Sequence, residues 1–137
     1  MIVVDASVWV SALMPRERHH IQSRQWFERW NQQDQLIIAP ILAVSEVAGA
    51  IARRTGTPED GRAAATDLFA APSVHLVPLD EHLGRDTAML AADLSLRGAD
   101  ATYVAVAQRF DVPLLTWDHD QAARAEVAIP VQAPEER

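Results

Sequence analysis

Four acidic residues stand where solvation at a protein surface explains a carboxylate poorly: Asp5, Glu46, Asp100 and Asp118. Asp5 ends the β-branched run Ile2-Val3-Val4, and Asp118 follows the apolar run Val112 to Thr116 in the same way. Glu46 is the only charged residue between Asp34 and Arg53, set among Ile41, Leu42, Val44, Val47 and Ile51. Asp100 heads a stretch of small and apolar side chains that continues to Ala107. An ionised carboxylate in such surroundings is costly unless it is paired or binds a metal. Plainer uses exist: Asp5 and Asp100 suit helix caps, and Glu46 could occupy the one wet edge of its helix. Together, however, four acids would repel and raise one another's pKa values, so the set makes sense chiefly with cations present. Donors that are all oxygen point to Mg2+, with Mn2+ as a substitute. Such a site can position water against a phosphodiester and stabilise the leaving oxygen.

To bring these residues together the chain must place strand ends beside helix starts. Ile2-Val3-Val4 is a strand of the kind buried on both faces, because a sheet covered by helices needs no polar alternation. Val8 to Leu13 reads as a short helix stopped before Pro15. A second helix runs from His19 to about Gln33, with Ile21, Trp26, Phe27 and Trp30 as its apolar stripe. Leu36 to Ala39 is a second buried strand. The helix from Ile41 to Arg54 closes on Gly56, with Arg53 and Arg54 complementing its dipole. Thr57-Pro58-Glu59-Asp60 starts a further helix, capped by the Thr57 hydroxyl and running to about Ala71. Val74 to Val77 is a third strand. Asp80 opens a long helix to Arg97 closed by Gly98, and the buried helix headed by Asp100 follows. Val112 to Thr116 is a fourth strand, Val127 to Val131 a final edge strand, and the Pro134-Glu135-Glu136-Arg137 tail is expected to fray. The order predicts an α/β three-layer sandwich: a central parallel sheet of four to five strands, flanked by helices, in a single domain over residues 1–137. In such sheets ligands bind at the carboxyl ends of strands.

Composition narrows the function classes. A chain of 137 residues, 49% apolar and 23% charged, is globular. It has no cysteine, which excludes disulfides, thiolate zinc sites and cysteine catalysis and suits a reducing cytoplasm. No basic leader precedes the first apolar run, and Leu36 to Val44 is too short for a membrane span. A cytoplasmic protein with no membrane partner is expected. The net charge of −7 argues against broad, non-specific nucleic-acid binding but permits a metal-neutralised phosphate site. Arg16, Arg18, Arg24 and Arg29 form the most basic neighbourhood, read as a solvated face, and His19-His20 reads as a loop-tip pair. Asp86 and Asp93 read as surface acids, Asp93 being a distant candidate for the site.

The segments Ile2-Val3-Val4-Asp5-Ala6-Ser7, Ser45-Glu46-Val47, Gly98 to Ala105 and Leu115-Thr116-Trp117-Asp118 resemble, in order, the four signature segments of PIN-domain ribonucleases. Length and spacing are similar to VapC-type toxins of bacterial toxin-antitoxin pairs. The resemblance implies that Asp5, Glu46, Asp100 and Asp118 are the catalytic, Mg2+-holding acids, with Ser7 and Thr116 as polar support. It also implies hydrolysis of RNA leaving a 5′-phosphate, a homodimer, and a cognate antitoxin whose tail covers the site. Asp118 and Asp120 both follow the last long strand; Asp118 is favoured, directly after Thr116, with Asp120 its rival, and Trp117 between them is read as structural. A receiver domain would need a lysine, and there is none; a haloacid-dehalogenase-type phosphatase would want an aspartate at Ser7. No Gly-x-Gly pattern occurs. The remaining alternative is a catalytically silent PIN-like binding or regulatory module.

Overall fold

The computed structural model describes residues 1–134. Five strands, β1 (Ile2–Val4), β2 (Ile37–Pro40), β3 (Val74–Val77), β4 (Leu114–Leu115) and β5 (Val131–Gln132), form one sheet in the order β3-β2-β1-β4-β5. Every pairing is parallel, as expected where helices connect successive strands. The helices are α1 (Ala6–Leu13), α2 (His20–Gln32), α3 (Leu42–Thr55), α4 (Pro58–Ala70), α5 (Glu81–Leu94), α6 (Gly98–Phe110) and α7 (His119–Ala125). None of them is long and apolar enough to cross a membrane.

Alternation along the central strands divides the core between two helical layers. Val3, Ile38 and Leu114 face the cluster built on Leu83 of α5, Tyr103 to Ala107 of α6 and Ala125 of α7. Ile2, Val4, Ile37 and Leu115 face the other way, onto Val8 of α1 and Trp26 of α2. A third cluster joins α1, α3 and α4 through Val10, Val47, Ile51 and Leu68. The expected three-layer α/β sandwich is therefore present. Because β2 lies to one side of β1 and β4 to the other, the order reverses between β1 and β4. The carboxyl ends of those two strands form the crevice of the sheet.

Four local expectations are corrected. The helix opened by Asp80 ends at Leu94 rather than Arg97: Ser95 takes the left-handed conformation (φ 55°), and the amide of Leu96 bonds to the Ala91 carbonyl at 3.0 Å. Leu96 is buried, and seating it turns the chain early, so Gly98 begins α6 instead of capping α5. The Thr57 hydroxyl does not cap α4; it lies 3.4 Å from the Thr55 carbonyl. β4 is shorter than Val112 to Thr116. The last strand starts at Val131, because exposed Val127 belongs to the turn closing α7, with the Ala128 and Ile129 amides on the Ala125 carbonyl. Beyond Pro134 the tail expected to fray lies outside the described residues.

Candidate active site

Asp5 leaves β1 directly into α1 and caps it while also facing the end of β4. Its Oδ2 accepts the Ser7 amide (3.0 Å), capping α1, and also the Thr116 hydroxyl (3.1 Å) from beyond β4. The Thr116 proton is committed to that carboxylate, so at the 3.4 Å contact between the two hydroxyls Ser7 is the donor. Ser7 Oγ accepts the Trp117 amide (3.1 Å) and Thr116 Oγ1 the Asp118 amide (3.0 Å). This relay ties the end of β1 to the end of β4, so the two residues expected as polar support are the stitching of the crevice.

Asp118 caps α7 by accepting the Gln121 amide on Oδ1 at 3.0 Å. Asp120, the rival, is exposed and paired: the Arg124 Nε donates to both of its oxygens at 3.1 Å, and its charge still reaches Asp100 as the weakest of the influences there. Asp100 is half-buried in the first turn of α6 and makes no capping bond; its carboxylate pairs only loosely with Arg97, at 3.8 Å.

Glu46, half-buried on α3, finds its partner across the core. The Tyr103 hydroxyl donates to Oε1 at 2.6 Å, and Tyr103 is fully buried. Reading the sequence alone missed Tyr103 as part of the site. The signal was present, since a tyrosine three residues after Asp100 in a buried run must satisfy its hydroxyl somewhere, and Glu46 lacked a partner within its own helix.

The acids share one electrostatic field. Burial raises the Asp5 pKa above its ordinary value, against the hydrogen bonds from Ser7 and Thr116, and Asp118 adds to the rise. Burial likewise raises Glu46, opposed by Tyr103 and reinforced by Asp5 and Asp100. Asp100 is raised by burial, by Asp5 and Asp118 and most weakly by Asp120, with Arg97 opposing. The Tyr103 hydroxyl is pushed far up by burial and by the two nearby carboxylates, and so stays a donor.

Among the described residues no three His, Asp or Glu side chains already converge into a geometry that would hold an ion. The donor chemistry fits a hard divalent cation nonetheless. Asp5, Glu46 and Asp118 each have one oxygen held by the protein's own donors and the other without a hydrogen bond among the described residues. The remaining candidates disperse. Asp93 is exposed, Asp86 pairs with Arg109, and His20 is turned to the Ser11 carbonyl at 2.8 Å. Trp117 is structural as expected, its Nε1 donating to Ser23 Oγ at 2.8 Å, and His19 stacks on it at 3.8 Å.

A parallel five-stranded sheet with acids placed around its point of reversal defines an α/β protein with an acidic crevice at the carboxyl ends of β1 and β4. The sequence matches the family model of the PIN domain over residues 2–127, and the chain belongs to that family. Its fold is similar to that of Mycobacterium tuberculosis VapC20, a toxin described as cleaving the sarcin-ricin loop. There the TM-score is 0.80 at 18% identity, covering 100% of this chain and 99% of that one. FitAcB from Neisseria gonorrhoeae gives a TM-score of 0.74 at 18% identity with 100% of both chains covered. DNA-bound VapBC from Salmonella typhimurium gives 0.73 at 14% identity with 97% of each covered. At these identities the likeness is one of fold. No curated protein matches the sequence significantly.

Proposed function

We propose that the protein is a Mg2+-dependent endoribonuclease acting as the toxin of a toxin-antitoxin pair, with Asp5, Glu46, Asp100 and Asp118 as its catalytic acids. The observation that carries this reading is that four acids from four different elements act on one another electrostatically around Asp5, at the sheet's switch point, three of them with one oxygen held and the other without a hydrogen bond among the described residues. When bound, Mg2+ or Mn2+ would supply water activation and charge neutralisation at a phosphodiester. The chain's own contribution is orientation: the Ser7–Thr116 relay fixes Asp5 against Asp118, and Tyr103 fixes Glu46. Likeness to a toxin-antitoxin complex supports a cognate antitoxin as partner, the resemblance of the sequence motifs supports a homodimer, and the cysteine-free composition suits a cytoplasmic site of action.

One observation favours the second reading, a catalytically silent PIN-like binding module: the acids do not stand in ion-holding geometry. Calorimetric titration of Mn2+ into the antitoxin-free chain separates the two, run beside Asp5→Asn and followed by incubation with RNA in Mg2+ or in chelator. Saturable binding lost in Asp5→Asn, with Mg2+-dependent cleavage leaving 5′-phosphates, is the expected result. A folded wild type that neither binds Mn2+ nor cleaves RNA would leave the silent module standing.

A further inference from the structure

The acidic crevice opens on one side into a cleft of about 510 Å³ between α1, the α1–α2 loop and α3. Glu46 and Ser7 form its shared wall with the site, and Arg18, Arg53, His19 and Trp117 are among its other lining residues. The arginines are informative because most of this chain's arginines are already engaged. Arg24, Arg54, Arg62, Arg85, Arg97, Arg109 and Arg124 each face a carboxylate. Among the described residues only Arg16, Arg18, Arg29 and Arg53 make no ion pair, and two of these four meet in the cleft beside Glu46.

Their neighbours account for this arrangement. Glu17, the other acid on the cleft wall, is taken by Arg54, which ties the α1–α2 loop to α3 and leaves Arg18 and Arg53 without a competitor there. Glu46, Gly49 and Arg53 share one face of α3 by their spacing. A Cβ on Gly49 would stand 3.1 Å from Arg53 Nη1, so the bare glycine leaves the room in which the guanidinium lies across α3. The opposite wall is rigid: His19 lies flat on Trp117, 7° from parallel, and Trp117 is pinned through Ser23 to Ser11.

A polyanion approaching four acids on a chain of net charge −7 needs local positive charge beside the reacting bond. Two guanidiniums with free forks match a phosphodiester in geometry as well as charge. We propose that this cleft seats the nucleotide adjoining the scissile bond of an RNA strand, with Arg18 and Arg53 holding its phosphate against the His19–Trp117 wall. The proposal rests on the ribonuclease reading and gives that activity its substrate-positioning side.

The test is fluorescence anisotropy with a randomised pool of short, labelled single-stranded RNA. The parent is the full chain carrying Asp5→Asn, so that the probe survives, and the additions are Arg18→Gln with Arg53→Gln, the corresponding lysine pair, or Arg29→Gln as an unpaired arginine outside the cleft. Removing two phosphate contacts should flatten the slope of log affinity against log salt by about 1.4, roughly 0.7 per arginine on a single strand. The lysine pair should restore most of that slope, and Arg29→Gln should leave it unchanged. In the chain with its acids intact, the glutamine pair should raise KM about tenfold while kcat changes little. Equal slopes for the glutamine pair and Arg29→Gln, in a chain that binds and cleaves RNA, would overturn the cleft assignment alone. Absence of RNA binding by the parent and of cleavage by the wild type would overturn the ribonuclease reading with it. Unchanged RNA binding with loss of a co-purified antitoxin from the glutamine pair would assign the cleft to a protein partner and likewise overturn the proposal.

Discussion

At the scale of single residues, Asp5 and Asp118 cap helices with the same carboxylates proposed for the chemistry, which makes some substitutions unusually clean. Asp118→Asn keeps an oxygen to cap α7, because asparagine caps as well as aspartate, but removes the charge that faces Asp5 and Asp100. It should abolish RNA cleavage without lowering the unfolding midpoint, which in chelator at neutral pH should rise as repulsion on Asp5 and Asp100 is relieved. Asp120→Asn removes an exposed pair with Arg124, worth at most about 1 kcal/mol, and the weakest of the charges acting on Asp100, and should retain most of the activity. Cleavage assays that ranked the two the other way would move the fourth acid to Asp120. Tyr103→Phe deletes a single hydroxyl from a filled core and frees Glu46 to turn. The expected outcome is about a tenfold fall in kcat, corresponding to roughly 1.4 kcal/mol, and a smaller loss when Glu46 is already glutamine. Additive losses in the double variant would show that Tyr103 acts on something other than Glu46.

At the scale of elements, position is set by contacts that leave uneven traces in the sequence. The strands Ile2–Val4 and Ile37–Pro40 and the helices carrying Glu46 and Asp100 were legible because their apolar runs and caps are local. The Ser7–Thr116 relay spans 109 residues and the Tyr103–Glu46 bond 57, so their partners could not be read from spacing. The end of α5 was misplaced for a related reason: burial of Leu96 overrode the expectation that a glycine would close the helix. The same limit applies to the packing of α3 on α4. A Cβ on Gly61 of α4 would stand 2.5 Å from the Ala48 carbonyl and 3.0 Å from the Ala52 Cβ, so only glycine permits this approach. Alanine would gain about 1 kcal/mol of helix propensity, yet the clash with rigid backbone costs about 1–3 kcal/mol and should prevail. Gly61→Ala should therefore lower the thermal midpoint and, by pushing on the helix that carries Glu46, reduce cleavage. A raised midpoint would mean that α3 and α4 separate without cost.

At the scale of the whole molecule, gathering acids stores repulsion that pH and divalent cations should release in opposite ways. Asp5, Glu46 and Asp100 have folded pKa values above their ordinary 3.8, 4.5 and 3.8. Between those values and the raised ones the folded chain binds more protons than the unfolded chain, so stability falls as pH rises through that window. In chelator, the midpoint of wild type should climb as pH drops from 7 into the range just above the ordinary carboxylate values. Asp5→Asn should start higher at pH 7 and climb less. A divalent ion bound only by the folded state relieves the same repulsion by neutralising it, adding about 2.7 kcal/mol at a hundredfold excess over Kd. It also holds the acids ionised, so with saturating Mn2+ the slope should reverse, the midpoint being highest at pH 7 and declining as protons displace the metal. Thermal unfolding across pH, with and without Mn2+, reads both slopes in one set of samples. A chelated wild type whose midpoint only falls on acidification, in parallel with Asp5→Asn, would mean that the acids do not share a field. A cation at the head of the sheet would then have no thermodynamic basis.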